Sequence, residues 1–418
     1  MYRKTTLENG VRIITETMPH VRSAAIGIWA DVGSAVERAE ERGISHLVEH
    51  MLFKGTHRRS ARAIAEEMDG VGGNLNAFTD KETTCYYAKV IDHHVPLAVD
   101  VLTDMFLHST FDPGELEKEQ RVILEEIKMY DDSPDELIHD LFIQTMWSDS
   151  SLGAPTIGFA DTVKSLTRDK LREHMRRRYA PNSVVVAAAG HIKHAEIVEL
   201  FSSAFAEFNG NCELPMPEDP PTTPSTLFRS KDSEQAYLVL GTRGLSVRDE
   251  RRYALSVLDT ILGGGMSSRL FQEIREKRGL VYTVYSFQAA YRGAGLFAVY
   301  AGTSPDNVRQ CVSVMRDQFG KLRDTKVSDD ELRLAKEHIK GNLTLSLEST
   351  SSRMIRLGRS EFSLGRNLAT EEIESRIEAV TSDDIQMLAN ELLREDQLGL
   401  CVLGPVDEAQ VDWNRSAA

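Results

Sequence analysis

Short apolar runs along the chain predict β-strands. Three of them extend from Ala24 to Val32, from Thr83 to Val90 and from Ser183 to Ala189. Their β-branched and aromatic residues favour an extended backbone. The stretch from Thr6 to Glu16 predicts a β-hairpin, because Asn9-Gly10 at its centre is a sequence typical of a tight turn.

Longer stretches place apolar residues three and four positions apart, which is the spacing of an amphipathic helix. Strands joined by hairpins and followed by runs of helices are typical of the α+β class. We therefore expect mostly antiparallel or mixed sheets that are covered by helices. The predicted helices span residues 43–54, 60–69, 94–108, 113–130, 135–147 and 167–179.

A proline-rich stretch near the midpoint predicts a linker between two domains. The segment NCELPMPEDPPTTPST, residues 211–226, holds five of the thirteen prolines of the 418-residue chain. Proline removes a backbone donor, so this density disfavours both helix and sheet. The expected domains are residues 1–210 and 227–418, because a chain of this length exceeds what one core usually accommodates.

The two halves resemble each other, which predicts an internal duplication. The helical segment FDPGELEKEQRVILEEI in the first half aligns with VSDDELRLAKEHIKGNL in the second at an offset of 216 residues. Further along, Thr167 aligns with Thr381 and Gly190 with Gly404, both at an offset of 214. Several matches in the same order at nearly one offset indicate two homologous domains.

Composition narrows the class of function. The net charge is -15, which disfavours nucleic acid as a partner. No apolar run approaches the ~20 residues of a membrane span, and the N-terminus lacks the apolar region of a secretory signal. The four cysteines are far apart in sequence, so we expect reduced thiols and a cytoplasmic location rather than a disulfide framework.

The segment His46-Leu47-Val48-Glu49-His50 predicts a zinc site. Residues four apart share one face of a helix, so His46 and His50 can bind one ion. Zinc lowers the pKa of a bound water, and the carboxylate of Glu49 can accept the proton of that water. This HxxEH order is the signature of the inverzincin peptidases. A solvated helix face with two exposed histidines is the alternative interpretation.

A catalytic zinc ion usually has a third protein ligand. Glu119 and Glu126 are seven residues apart and lie on nearly the same face of the predicted 113–130 helix, whereas Glu125 is rotated by about 100° from Glu126. Spacing alone does not choose between them, and a charged surface helix is the alternative. The second half lacks metal-binding chemistry at the corresponding positions, which are Ser256, Asp259, Thr260, Ala335 and Asn342.

Together, HLVEHMLFKGT, the acidic helix and the repeat resemble the insulinase/pitrilysin family of zinc peptidases over nearly the whole chain. The nearest subgroup is similar to two-domain bacterial peptidases related to the β subunit of the mitochondrial processing peptidase. The resemblance implies that Zn²⁺ is the cofactor and that Glu126 is the third ligand. It also implies that Glu119 lies near the metal, either supporting a ligand or handling protons.

Two other segments resemble motifs of this family. GGNLNAFTDKETTCYYAKV is similar to the substrate-binding edge strand, in which Asn76 and Ala77 would contact the backbone flanking the scissile bond. Arg275 and Tyr282 match the family's Arg-Tyr pair, which would bind the substrate carbonyl and stabilise the oxyanion. Without the resemblance, the first segment is a glycine-rich turn into a strand and the second is an ordinary basic helix.

The resemblance implies a bacterial endopeptidase that cleaves oligopeptides or unfolded, presequence-like segments. Its two domains would form a clamshell around an enclosed chamber, with Glu49 as the general base. It implies a homodimer and leaves open whether Arg275 and Tyr282 act within their own chain or across the dimer. A non-catalytic structural or partner-binding subunit of the same fold is the main alternative, and a zinc-storing or zinc-sensing protein is another.

Overall fold

The computed structural model describes residues 1–411 and Trp413. Within these residues, the strands are β1 Tyr2–Thr6, β2 Arg12–Thr17, β3 Ser23–Ala30, β4 Asn74–Thr79, β5 Thr84–Ile91, β6 Val184–Gly190, β7 Thr226–Arg229, β8 Ala236–Arg243, β9 Val281–Ala290, β10 Gly295–Thr303 and β11 Gly399–Leu403. The α-helices are α1 Ile44–Leu52, α2 Ala61–Asp69, α3 Val95–His108, α4 Pro113–Asp131, α5 Pro134–Met146, α6 Ala160–Ser165, α7 Arg168–Arg178, α8 His194–Ala204, α9 Arg252–Gly263, α10 Val308–Asp324, α11 Asp329–Ser346, α12 Thr350–Leu364, α13 Thr370–Glu378, α14 Ser382–Leu392 and α15 Glu408–Val411.

The predicted α+β class is confirmed. The predicted hairpin corresponds to β1 and β2, and the three predicted strands correspond to β3, β5 and β6. All six predicted helices are present, as α1 to α5 and α7, with ends within about two residues of the prediction. In the first half of the chain, the short helix α6 and the helix α8 were not predicted, and no helix bounds were predicted for the second half.

Packing divides the chain into two compact units, and neither is continuous in sequence. Unit 1 contains residues 1–128, 154–216 and 345–367, and unit 2 contains residues 129–153, 217–344 and the described residues from 368 onward. The expected linker at 211–226 is therefore shared between the units. Helix α5 from the first half of the chain belongs to unit 2, and helix α12 from the second half belongs to unit 1. The ranges 1–210 and 227–418 correspond to the two sequence repeats. In the folded chain, each repeat contributes one helix to the unit that is formed mainly by the other repeat.

The sheet of unit 1 is mixed, with the strand order β1-β2-β6-β3-β5-β4. Strands β2 and β6 are parallel, the other neighbours are antiparallel, and β4 is an edge strand. Alternate residues of β3 face opposite sides of the sheet. Ile26 and Ile28 join the core that contains α1 and α3, whereas Trp29 packs with Met354 of α12 on the other side. Gly358 is required there, because a Cβ atom would lie 2.3 Å from the Trp29 ring.

The sheet of unit 2 repeats this arrangement with the strand order β7-β11-β8-β10-β9. Strands β7 and β11 are parallel, as β2 and β6 are, and α5 packs on β8 and β11. The aligned residues also have equal roles. Thr167 and Thr381 each cap the N-terminus of a helix, and Gly190 and Gly404 have φ angles of 133° and 147°. The predicted homology of the two halves is confirmed.

None of the helices within residues 1–411 combines the length and the apolar composition that a membrane span requires.

Candidate metal centre

Helix α1 carries the HxxEH segment, with one face buried and the other available for ligands. Ile44, Leu47, Val48, Met51 and Leu52 recur at helical spacing and are buried in the core of unit 1. The two histidines and the glutamate are therefore left on a partly exposed face. The local sequence thus determines both that this segment is a helix and which face of it carries His46, Glu49 and His50.

The start of α1 is fixed by a carboxylate from the preceding loop. Oε2 of Glu37 accepts the backbone N–H of Gly43, and Oε1 accepts that of Ser45, each at 2.8 Å. Burial raises the pKa of Glu37 to about 7, although both backbone donors oppose the shift. Since Ser45 directly precedes His46, these two hydrogen bonds help to set the position of the first candidate ligand.

Helix α4 brings a carboxylate to the two histidines. Oε2 of Glu126 lies 3.9 Å from Nε2 of His46 and 3.9 Å from Nε2 of His50. Among the described residues, these three form the one group of at least three side chains whose ligand atoms lie within 4.8 Å of one another. Zinc bonds of about 2.0–2.2 Å to imidazole and carboxylate require separations only slightly shorter than these.

Two observations show that this donor set suits zinc. Oε2 of Glu126 is buried without a hydrogen-bond partner, although a buried carboxylate oxygen normally has one. Burial and the neighbouring His50 lower the pKa of His46 to about 3, so its ring is neutral at neutral pH. Neutral imidazole is the form that binds metal. His46, His50 and Glu126 would hold the ion.

Glu119 lies behind His50 and fixes the orientation of its ring. The carboxylate is 3.1 Å from Nδ1 of His50 through Oε2, and its Oε1 pairs with Nζ of Lys54 at 2.8 Å. In the tautomer that donates Nδ1–H to Glu119, Nε2 of His50 is left free for a metal. Carboxylates commonly support zinc-binding histidines in this way, so the geometry favours the supporting role over proton handling.

Glu49 points from α1 toward the end of the edge strand β4. Oε2 of Glu49 accepts a hydrogen bond from Oγ1 of Thr79 at 2.5 Å. Burial raises the pKa of Glu49 and the charge of Glu126 adds to the rise, while the Thr79 hydroxyl and the charge of His50 oppose it. A carboxylate with a raised pKa is a stronger base than an exposed one, which suits proton transfer at neutral pH.

Asn76 and Ala77 lie on β4, close in sequence to Thr79. They pair with Tyr87 and Tyr86 of β5, and no strand of the sheet pairs with the other side of β4. Oδ1 of Asn76 accepts the backbone N–H of Ala77 at 2.8 Å. The segment thus forms an edge strand of the kind to which an extended peptide can add.

Arg275 and Tyr282 belong to unit 2, whereas the other predicted site residues belong to unit 1. Arg275 lies on a short π-helical turn, Phe271–Glu276, and Tyr282 lies at the start of β9. The Cζ atom of Arg275 is 5.3 Å from the centre of the Tyr282 ring, and Tyr282 is 79% exposed. The structure therefore brings the pair together and leaves the phenol accessible.

Three residues that support the site were not predicted from the sequence: Glu37, Lys54 and Thr79. Lys54 stands within HLVEHMLFKGT, four residues after His50, so helical spacing could have suggested it. The other two reach α1 from a loop and a strand, and no local pattern gives such contacts.

A candidate metal site of two histidines and one glutamate, with a second glutamate beside the histidines on the same helix, is typical of zinc hydrolases. Comparison with known proteins gives the family. Residues 12–159 match the family model described as insulinase (peptidase family M16), and residues 165–339 match the model described as peptidase M16 inactive domain. The chain belongs to the insulinase family, peptidase family M16.

Relatives named as uncharacterized zinc proteases align over nearly the whole chain. The chain is 44% identical to YmxG of Bacillus subtilis, covering 97% of this chain and 98% of that protein. It is 43% identical to a Streptomyces coelicolor relative, covering 98% and 90%, and 42% identical to one of Mycobacterium tuberculosis, covering 96% and 93%. The chain is a zinc protease with Zn²⁺ as cofactor.

Solved structures show the same fold. A protease from Helicobacter pylori has a TM-score of 0.91 at 22% identity and covers 97% of this chain and 99% of its own. A structure titled as the peptidase M16 inactive domain from Pseudomonas fluorescens has a TM-score of 0.90 at 20% identity and covers 97% and 98%. These likenesses extend over both repeats and confirm the predicted two-domain fold.

Replacing Glu119 should weaken zinc binding. Glu119→Gln removes the negative charge that pairs with Lys54 and orients His50, so we expect zinc affinity to fall roughly 10–100-fold. Competition with a chromophoric chelator measures the change. Glu125→Gln is the matched control, because Glu125 lies on the same helix with an exposed side chain. Equal zinc affinity in wild type and Glu119→Gln would contradict the supporting role.

The raised pKa of Glu37 predicts a pH-dependent stability. An unfolded glutamate has a pKa of about 4.3, whereas burial raises that of Glu37 to about 7. The folded protein thus binds this proton more tightly than the unfolded chain does. The contribution of the proton to the unfolding free energy is fully present below about pH 4.3 and is lost as the pH rises through about 7.

Glu37→Gln isolates this contribution, because the amide does not titrate. We expect the unfolding free energy of the wild type, minus that of the variant, to fall by on the order of 3 kcal/mol between about pH 4.5 and about pH 8. Urea unfolding in excess chelator measures both proteins without metal. A difference that does not change with pH would contradict the raised pKa.

Proposed function

We propose that the protein is a zinc-dependent endopeptidase that cleaves oligopeptides or unfolded, presequence-like segments within an enclosed chamber. The observation that carries the proposal is the arrangement on α1. The carboxylate of Glu49 stands beside two histidines that meet the unpartnered oxygen of Glu126. The enclosed chamber and the substrate class rest on the family resemblance, and the net charge of -15 favours basic segments.

Under this proposal, each group of site residues has its own role in the reaction. Bound zinc supplies Lewis-acid chemistry and lowers the pKa of water. Glu49 accepts a proton from the attacking water and returns it to the leaving amine. The edge strand at Asn76 and Ala77 aligns the peptide by backbone hydrogen bonds. Arg275 and Tyr282 donate hydrogen bonds to the carbonyl oxygen as negative charge develops on it.

We propose that two copies of the chain associate and that Arg275 and Tyr282 can act on the zinc site of the partner. The support is the family resemblance, together with the location of this pair in unit 2 and of the metal ligands in unit 1. We also propose a reducing compartment, the bacterial cytoplasm, because all four cysteines are free thiols and three of them are buried.

Glu49→Gln should abolish turnover without releasing zinc. Loss of a general base lowers kcat by roughly 100-fold or more, whereas the metal ligands are unchanged. Quenched fluorescent peptides measure cleavage, and metal analysis measures zinc content. A chelator should stop the wild type, and zinc should restore it. No turnover by zinc-loaded wild type on a broad peptide library would contradict the peptidase, and full activity of Glu49→Gln would contradict the assigned base.

Mixed dimers test whether sites are completed across the dimer. Chains carrying Glu49→Gln and chains carrying Arg275→Ala are each inactive alone under this proposal. After subunit exchange, a mixed dimer should contain one intact combination of base and Arg-Tyr pair, and part of the activity should return. Light scattering establishes the dimer, and a fluorescence transfer signal verifies exchange. Verified exchange without recovered activity would show that the pair acts within its own chain.

A further inference from the structure

One hydrogen bond joins Glu49 to the edge strand of unit 1. Thr79 is the last residue of β4, and its hydroxyl donates to Oε2 of Glu49 at 2.5 Å. The backbone of Thr79 pairs with Thr84 of β5, and the Thr84 hydroxyl in turn donates to the backbone carbonyl of Val32 at 2.8 Å. The donor to Glu49 is therefore fixed by the sheet.

Because of this bond, the two carboxylate oxygens of Glu49 differ: one accepts a hydrogen bond and the other does not. Oε2 is bound to Thr79, while Oε1 has no hydrogen-bond partner within the part of the chain that the structure describes. A glutamate side chain has several rotatable bonds, and freezing them costs free energy unless a contact compensates for it. Holding one oxygen selects the rotamers in which the other remains available to accept a proton.

The second repeat shows the same contact in a metal-free setting. Asp259 on α9 is the counterpart of Glu49, and the hydroxyl of Ser286 on β9 donates to its Oδ1. Nε2 of Gln288, also on β9, donates to Oδ2 at 2.9 Å. Both carboxylate oxygens of Asp259 are thus occupied. The repeats share the link between the helix acid and the edge-strand hydroxyl, but only the zinc-binding repeat leaves one oxygen open.

We propose that Thr79 is a positioning residue of the peptidase reaction, which holds Glu49 with Oε1 free to take the proton of the attacking water. It also ties the base to β4, the strand along which the peptide would lie. This inference rests on the proposed function of Glu49. It assigns no ligand or substrate contact to Thr79 itself, which acts through the carboxylate.

Replacement of Thr79 by valine and by serine separates the hydroxyl from the shape of the side chain. Thr79→Val should lower kcat about tenfold, the effect of losing one hydrogen bond to a charged group. KM for a fluorescent peptide and zinc affinity should stay within about twofold of wild type, because neither depends on the orientation of Glu49. Thr79→Ser retains the hydroxyl and should recover most of kcat.

Ser286→Ala is the matched control in unit 2. It removes the equivalent hydrogen bond from Asp259, an acid that has no histidine neighbours on its helix. We expect its kcat to equal that of the wild type. Thermal unfolding of all three variants shows that each protein is folded.

The outcomes distinguish this inference from the proposed function. If wild type cleaves peptides and Glu49→Gln does not, unchanged kcat in Thr79→Val overturns the positioning role alone. Equal losses in Thr79→Val and Thr79→Ser would assign the effect to packing and also overturn it. Loss of zinc affinity with normal kcat in the zinc-loaded variant would do the same. If wild type shows no turnover, or Glu49→Gln keeps full activity, the proposed function itself fails.

Discussion

Four glutamates lie on or near helix α1. The structure of the candidate metal centre depends on which groups pair with each of their carboxylates. Glu37 receives two backbone N–H groups, Glu119 receives a lysine and a histidine ring, and Glu49 receives a threonine hydroxyl. The remaining carboxylate, Glu126, has a buried oxygen without a partner. A buried carboxylate oxygen without a partner is costly, and the neutral ring of His46 supplies no charge to offset it. A divalent cation held by all three groups removes the cost.

This compensation links zinc binding to the folding of unit 1. The histidines stand on α1 and the carboxylate stands on α4, two helices whose sequences are separated by α2, α3 and two strands. Zinc held by these residues would therefore stabilise the association of the two helices, because the site exists only in the folded chain. The contacts of Glu37 and Lys54 do not involve the ion. They therefore place part of the site before an ion binds.

Local spacing predicted the parts of the site that lie on one element. The i, i+4 relation of His46 and His50 required only that α1 be a helix, and the buried apolar residues of that helix ensured it. The candidate third ligand, Glu126, lies 76 residues beyond His50, and spacing alone could not choose between Glu119 and Glu126. The structure separates them, because Glu119 meets Nδ1 of His50 while Glu126 meets Nε2 of both rings.

Long-range packing was the part that the sequence did not reveal. Most elements of the first half followed from periodicity, and the duplication followed from aligned residues such as Thr167 and Thr381. The exchange of α5 and α12 between the units did not, because each helix follows its own repeat along the chain and its apolar face does not specify which sheet it covers. Thr79 was missed for the same reason, since Glu49 lies 30 residues away. The partners of Glu37 are only six and eight residues away, but they are reached from an irregular loop, which has no periodic pattern to read.

The duplication shows which features belong to the fold and which belong to the chemistry. Both repeats keep the sheet order, the helix caps and an acid at the Glu49 position, so these features do not require a metal. In the second repeat Ser256 and Thr260 replace the histidines, and Asp259 is fully occupied by two donors. With one donor on each oxygen and no histidine neighbours on its helix, Asp259 joins α9 to β9 as a structural contact. The features that distinguish the candidate site from the second repeat are therefore two histidines, a distant carboxylate and one oxygen of Glu49 left without a hydrogen bond.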